Sequence, residues 1–390
     1  MSNINNLNEL GTRTSIVETK MSQHVKSLDG FRAVAVIAVL LVHWGILGGG
    51  WIGVQIFFVL SGYLITSNLL RDRNYTDSIT LYLKNFYWRR FLRLFPAYYL
   101  YVFGFILIGL ISNNHEIRRL VLPLITYTVN IYATLPKHAN LENVGHFWSL
   151  AVEFQFYLFW PFLTFYLSKG NFKKTIISLI IIVPVIRLVL FQLSLRSNLD
   201  LHHAGEVVNL LTVNQIDAFA MGALVAILPA TRIKKPQIIF FIFLLLIIIV
   251  GGINLLSLFR TDIISTKLYL FFTFGFPYLM ISNYQYVWGY TMLNLLSALL
   301  IWCIDNGKNP IPWLNNSFLV YIGKISYGIY IFHVPVLFFI KKMWAVKIIS
   351  INGLMLFVAY FGITVIIAHV SFKYFETRFL KLKNRVTLKS

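Results

Sequence analysis

The chain has 390 residues, of which 58% are hydrophobic and 12% charged, and its mean hydropathy is +0.71. These values are typical of a polytopic helical membrane protein and exclude an ordinary soluble domain. The net charge of +20 would favour nucleic acid as the partner of a soluble protein. Here the Lys and Arg residues gather in short connectors, as the positive-inside rule predicts, so nucleic acid is excluded. The single cysteine, Cys303, excludes an intramolecular disulfide and argues against a cysteine metal site, and we predict no metal.

Hydropathy predicts an all-α membrane bundle. Residues 1–27 are polar and are predicted to be a cytoplasmic segment. Apolar runs of spanning length follow at about 31–47, 51–70, 91–111, 147–168, 174–195, 209–229, 237–258, 318–341 and 348–372. The piece 119–134 is predicted to be re-entrant or interfacial, and 268–304 counts as one interrupted span.

Basic connectors orient these runs. The connectors at 71–93, 169–174 and 232–235 are predicted to be cytoplasmic. The resulting topology has about ten transmembrane helices in a domain at 28–375 and a basic tail at 376–390, with both termini in the cytoplasm.

The first apolar run carries Arg32 and His43. Eleven residues at 100° each return to within about 20° of the starting direction, so the two side chains share one helix face about 16 Å apart. Ionisable residues inside a membrane mark a pathway or a reaction site by default. A snorkelling arginine and a hydrogen-bonded interfacial histidine are the structural alternative.

Other spans also carry polar residues at helical spacing. Arg187 lies in the middle of an apolar run and must face protein or water. One predicted helix face carries His146, Ser149, Glu153 and Tyr157, and a second carries Ser326, Tyr330 and His333.

Three arginines cluster where the third span begins: Arg89, Arg90 and Arg93. Guanidinium groups bind phosphate oxygens bidentately, so this cluster suits a phosphorylated cytosolic molecule such as a nucleotide or coenzyme A. An anchor for anionic lipid headgroups is the alternative.

Five segments in this order resemble the membrane acyltransferase family 3, whose members O-acylate cell-surface polysaccharides, other glycans and some small molecules. The segments are SLDGFRAVAVIAVLLVHWG, IGVQIFFVLSGYLIT, WRRFLRLFPAYY, HFWSLAVEFQFYLFWP and IGKISYGIYIFHVP. The resemblance runs nearly from end to end of the chain.

The resemblance implies a multi-pass enzyme of the bacterial inner membrane that transfers an acyl group, most often acetyl, from cytosolic acyl-CoA to a glycan hydroxyl. No bound cofactor is expected; acetyl-CoA is a co-substrate, and membrane lipids surround the chain. His43 is the expected general base, with Glu153 as a second catalytic residue. Arg32, Arg89, Arg90 and Arg93 are the expected donor-binding residues. The expected supporting residues are Asp29, Gln55, Trp148, Ser149, Tyr330 and His333.

Two positions depart from the family pattern. Gln55 stands where the family usually has aspartate, and Glu153 is a candidate to replace that missing charge beside His43. Arg378 stands where proline is common. No esterase domain of the SGNH type follows within the sequence, so the chain is expected to act alone or with a separate partner.

Several alternatives stay open. Transfer is either direct or through an acyl-histidine intermediate. The donor acyl group is acetyl or succinyl, and the acceptor is an O-antigen intermediate, an exopolysaccharide, peptidoglycan or a small molecule. His202, His203 and Glu206 either bind the acceptor or form a solvated turn. The rival functions are a lipid-linked sugar transporter, which predicts a symmetry between halves that we do not find, and a polyprenyl-phosphate glycosyltransferase.

Overall fold

The computed structural model describes residues 26–228, 235–261, 270–345 and 353–382. Within these ranges the chain is helical and has no strand. The helices are α1 Lys26–Trp44, α2 Ile52–Arg73, α3 Ile79–Ile111, α4 His115–Ile125, α5 Val129–Tyr132, α6 Trp148–Tyr166, α7 Lys169–Arg196, α8 Leu201–Leu210, α9 Ile216–Ile227, α10 Pro236–Thr261, α11 Gln285–Asp305, α12 Ser317–Lys324, α13 Ser326–Ala345, α14 Gly353–Val370 and α15 Thr377–Lys381.

The predicted membrane bundle is confirmed. Eight helical stretches in the described ranges are long and apolar enough to cross a membrane. The count of ten spans and the cytoplasmic placement of both termini stay predictions. Most of the predicted polar segment 1–27 and part of the tail at 376–390 lie outside the described residues.

The apolar run predicted at 91–111 forms the later part of a longer helix, α3. The helix begins at Ile79, where the Ser78 side chain accepts a hydrogen bond from the Leu81 amide and caps it. The cap extends the helix by three turns towards the basic connector. Arg89, Arg90 and Arg93 therefore project from a regular helix.

Two predicted spans are broken. The run at 209–229 divides into α8, a 3₁₀ turn at Thr212–Asn214 and α9, and the run at 318–341 divides into α12 and α13 at Ile325. By contrast, α4 has 11 residues and is therefore about 16 Å long, too short to cross a bilayer core of about 30 Å. This length agrees with a re-entrant or interfacial role for residues 119–134.

Buried Arg187 explains the break before α9. Its Nε and Nη2 atoms donate to the Asn214 carbonyl oxygen at 2.8 and 2.6 Å, which requires that carbonyl to be free of a helical partner. Arg187 also pairs with Asp217, and Thr291 Oγ1 bridges the two, 2.9 Å from Nη1 and 2.7 Å from Asp217 Oδ2. The Tyr290 ring lies 5.0 Å from the guanidinium carbon. Arg187 was expected to face protein or water, and its side chain lies among protein groups.

Close backbone packing joins α2 to α9. A Cβ atom added at Gly62 would overlap the Phe219 carbonyl oxygen, and one added at Gly222 would overlap the Val59 carbonyl oxygen. Glycine is therefore required at both positions for the two helices to approach this closely.

We expect Gly62→Ala to destabilise the fold by about 1–3 kcal/mol, because the added methyl group has no space against the α9 backbone. Thermal unfolding of the purified protein in detergent measures this effect. Gly104→Ala is the matched control, since nothing lies within 4 Å of a Cβ at Gly104. Equal melting temperatures for Gly62→Ala and the control would contradict the packing argument.

We expect Asp217→Ala to destabilise the protein by about 3–5 kcal/mol, because it leaves the fully buried Arg187 charge without its carboxylate. The readout is again thermal unfolding. Replacing both partners, with Arg187→Met and Asp217→Leu, should restore part of the loss. A single mutant as stable as the wild type would show that the ion pair does not hold the break.

Candidate active site in two adjoining cavities

His43 lies in the last turn of α1, and one hydrogen bond fixes its tautomer. Its Nδ1 atom is 2.9 Å from the Val39 carbonyl oxygen. A carbonyl oxygen only accepts, so Nδ1 carries the proton and the Nε2 lone pair remains available. A neutral imidazole with a free Nε2 is the form that a general base requires.

Two further histidines surround this ring. The His43 and His333 ring centroids are 4.7 Å apart, and those of His146 and His333 are 5.1 Å apart. His333 Nδ1 donates to the Tyr330 carbonyl oxygen at 2.6 Å, and His146 Nε2 donates to the Ile331 carbonyl oxygen at 3.3 Å. Burial, together with the nearby His43, lowers the pKa of His146 to about 3, so that ring is neutral. The described residues hold no group of three His, Cys, Asp or Glu side chains placed to bind a metal ion.

His146 was not among the predicted site residues. The helical-face argument placed it on the fourth span, whereas it belongs to a 3₁₀ turn, Gly145–Phe147, that precedes α6. The histidine itself was visible in the sequence, but its approach to His43 depends on the packing of α1, α6 and α13.

A cavity of about 500 Å³, which we call the histidine cavity, opens beside these rings. His43 and His146 line it together with Gln55, Trp148 and Tyr330. Glu142 and Glu206 also line it, whereas the His202 side chain is 65% exposed. Of the His202, His203 and Glu206 group, Glu206 is thus the member at the cavity.

A second cavity of about 160 Å³, the arginine cavity, lies beside Arg32, towards the other end of α1 from His43. Arg32, Arg90 and Arg93 line it with Ser149 and Glu153. Asp29 forms an ion pair with Arg32. The Arg90 guanidinium carbon lies 5.9 Å from the Phe86 ring and 5.7 Å from the Tyr157 ring, which holds it in place.

Arg89 and Glu153 do not lie where the sequence argument put them. Arg89 forms an ion pair with buried Asp72 and is not in the cavity lining. Glu153 accepts hydrogen bonds from Ser61 and Tyr157 in the arginine cavity. The structure therefore brings together three of the four predicted arginines, and it places Glu153 with them instead of beside His43.

The two cavities share Val54 and Tyr330 in their linings. The Tyr330 hydroxyl donates to the His146 carbonyl oxygen at 2.8 Å. The Ser149 hydroxyl lies 2.5 Å from the Tyr330 hydroxyl and 3.3 Å from the same carbonyl oxygen, so the two hydroxyl groups and this carbonyl form one hydrogen-bonded cluster. A thin wall with two hydroxyl groups thus separates a cationic cavity from a histidine-lined one.

Comparison with known proteins supplies the family. A protein named "Putative O-acetyltransferase" from Staphylococcus aureus (strain COL) is 29% identical over 387 residues, covering 93% of this chain and 58% of that protein. The peptidoglycan O-acetyltransferase OatA of Listeria monocytogenes is 29% identical over 376 residues, covering 91% of this chain and 56% of its own. The chain thus spans little more than half the length of these relatives.

No solved structure matches the chain. The family model described as "Acyltransferase domain" matches residues 25–372, which include both cavities and every predicted site residue. The chain belongs to this acyltransferase family.

Proposed function

We propose that the chain transfers an acyl group, foremost acetyl, from cytosolic acyl-CoA to a hydroxyl of a cell-surface glycan. The observation that carries this proposal is the adjoining pair of cavities, one lined by arginines and one by histidines, with Tyr330 in both linings. Such an arrangement suits a donor and an acceptor that approach from opposite sides of a membrane.

The arginine cavity is suited to the donor. Arg32, Arg90 and Arg93 present guanidinium groups to phosphate oxygens, and charge-assisted hydrogen bonds of this kind contribute about 1.5–3 kcal/mol each. Arg32 lies in the second turn of α1 and His43 in its last turn. The thioester would therefore point along α1 towards His43 while the phosphates remain at the arginines.

Direct transfer needs one base. His43 Nε2 takes the proton of the sugar hydroxyl, and the oxygen attacks the carbonyl carbon of the thioester. The carbon–sulfur bond then breaks, and the thiolate takes the proton back from the imidazolium. The Ser149 and Tyr330 hydroxyl groups in the wall are the candidates to stabilise the oxyanion. An acyl-histidine route uses the same Nε2 atom as the nucleophile.

The glycan acceptor is proposed from the relatives. The name of the Listeria protein specifies peptidoglycan, which supports peptidoglycan over O-antigen or exopolysaccharide for this chain. The corresponding location is the cytoplasmic membrane of a bacterium, with the histidine cavity open to the outer side.

We expect His43→Ala to lower acyl transfer by about 10²- to 10⁴-fold, the usual contribution of a positioned general base. Transfer of labelled acetyl from acetyl-CoA to a glycan by the protein in lipid nanodiscs measures it. His115→Ala, an exposed histidine at the start of α4, is the control and should retain activity. Full activity of His43→Ala would remove His43 from the mechanism. Labelled enzyme in the absence of acceptor would favour the acyl-histidine route.

We expect Arg90→Gln with Arg93→Gln to raise the KM for acetyl-CoA about tenfold or more, because two phosphate contacts are lost. Acetyl-pantetheine, which lacks the phosphates, should show no such change. Arg89→Lys keeps the charge beside Asp72 and should leave both KM values unaltered. An equal loss with acetyl-CoA and acetyl-pantetheine would show that the arginines do not bind phosphate.

A further inference from the structure

Gln55 is oriented by a chain of amides, and this orientation can be worked out from one fixed acceptor. The Asn209 carbonyl oxygen can only accept, so Gln215 Nε2, 2.7 Å away, donates to it. Gln215 Oε1 therefore faces Gln55 Nε2, which donates to it at 2.9 Å. The Asn209 carbonyl oxygen thus fixes the orientation of both side-chain amides, Gln215 and Gln55.

The consequence is an unpartnered acceptor in the histidine cavity. Gln55 is 1% exposed and lines the cavity, and its Oε1 atom has no hydrogen-bond partner among the described residues. A buried amide oxygen without a partner carries an uncompensated desolvation cost. A ligand with an O–H or N–H group at this position would recover that cost.

The charged side chains of the lining have one sign. Glu142 and Glu206 line the histidine cavity, and no Lys or Arg from the described ranges does so. Glu206 lies close enough to Tyr278, another lining residue, to act on it electrostatically. Lys341 lies within electrostatic reach of His43, but it is exposed and is not part of the lining. Carboxylates accept hydrogen bonds from sugar hydroxyls and repel an anionic ligand.

We propose that the histidine cavity selects a sugar without negative charge, with Gln55 Oε1 accepting a hydrogen bond from one of its O–H or N–H groups and with Glu142 and Glu206 rejecting acidic sugars. The inference rests on the proposed function, because it takes this cavity to be the acceptor site. In this proposal Gln55 is a specificity-determining residue. A carboxylate at the same position would instead be a charged partner for His43.

Two ligands of nearly equal shape test how the charge of the ligand affects its affinity for the cavity. Methyl glucuronamide is neutral and methyl glucuronate is anionic, and NMR titration of the full chain in nanodiscs gives both dissociation constants without requiring turnover. We expect the amide to bind at least fivefold more tightly than the acid. Glu142→Gln with Glu206→Gln should reduce this ratio to below twofold. Glu116→Gln, a carboxylate paired with exposed Arg119 outside the lining, should leave the ratio unchanged.

A second variant separates the hydrogen bond from the charge. Gln55→Leu should weaken both ligands by a similar factor of about 2–10, the usual range for one neutral hydrogen bond, and keep their ratio. Equal affinity of the two ligands for the wild type, or no binding of either, would overturn the inference. Preferential binding of the amide without any acetyl transfer would instead contradict the proposed function and leave this specificity standing.

Discussion

Charges inside an apolar bundle need partners, and this requirement separates Arg187 and Arg89 from Arg90 and Arg93. Arg187 is fully buried with Asp217, and Arg89 is paired with Asp72. Within the described ranges, Arg90 and Arg93 have no carboxylate at salt-bridge distance, although both line a cavity. Positive charge without a carboxylate at salt-bridge distance is available to an anionic ligand, and the phosphates of the proposed donor, coenzyme A, would supply that partner.

Much of the fold and part of the site could be predicted from the sequence. Long apolar runs depend only on local composition, so the bundle was predictable, and the order of five motifs identified the family. The common face of Arg32 and His43 follows from helical geometry alone, because both residues lie in one regular helix. Local arguments succeeded wherever the relevant distance lies within one helix.

The rest depends on contacts between helices. Asp72, 17 residues before Arg89, forms an ion pair with it and so keeps Arg89 out of the cavity lining. The break in the predicted span at 209–229 is coupled to Arg187, because the freed Asn214 carbonyl becomes part of that arginine's hydrogen-bond shell. No periodicity in α7 or α9 taken alone reveals this coupling.

The orientation of His43 has a chemical consequence. In the described part of the chain its Nδ1 proton is held by the Val39 carbonyl oxygen, and the carboxylate of Glu153 lies in the other cavity. A carbonyl fixes the tautomer but stabilises the imidazolium less than a carboxylate would. A thiol has an ordinary pKa of about 8.5, against about 6.5 for imidazole, so in the proposed mechanism the return of the proton from the imidazolium to the departing thiolate is favourable. A histidine held by a neutral acceptor thus suits the proposed thioester donor, and in that proposal Gln55 is left to bind the acceptor.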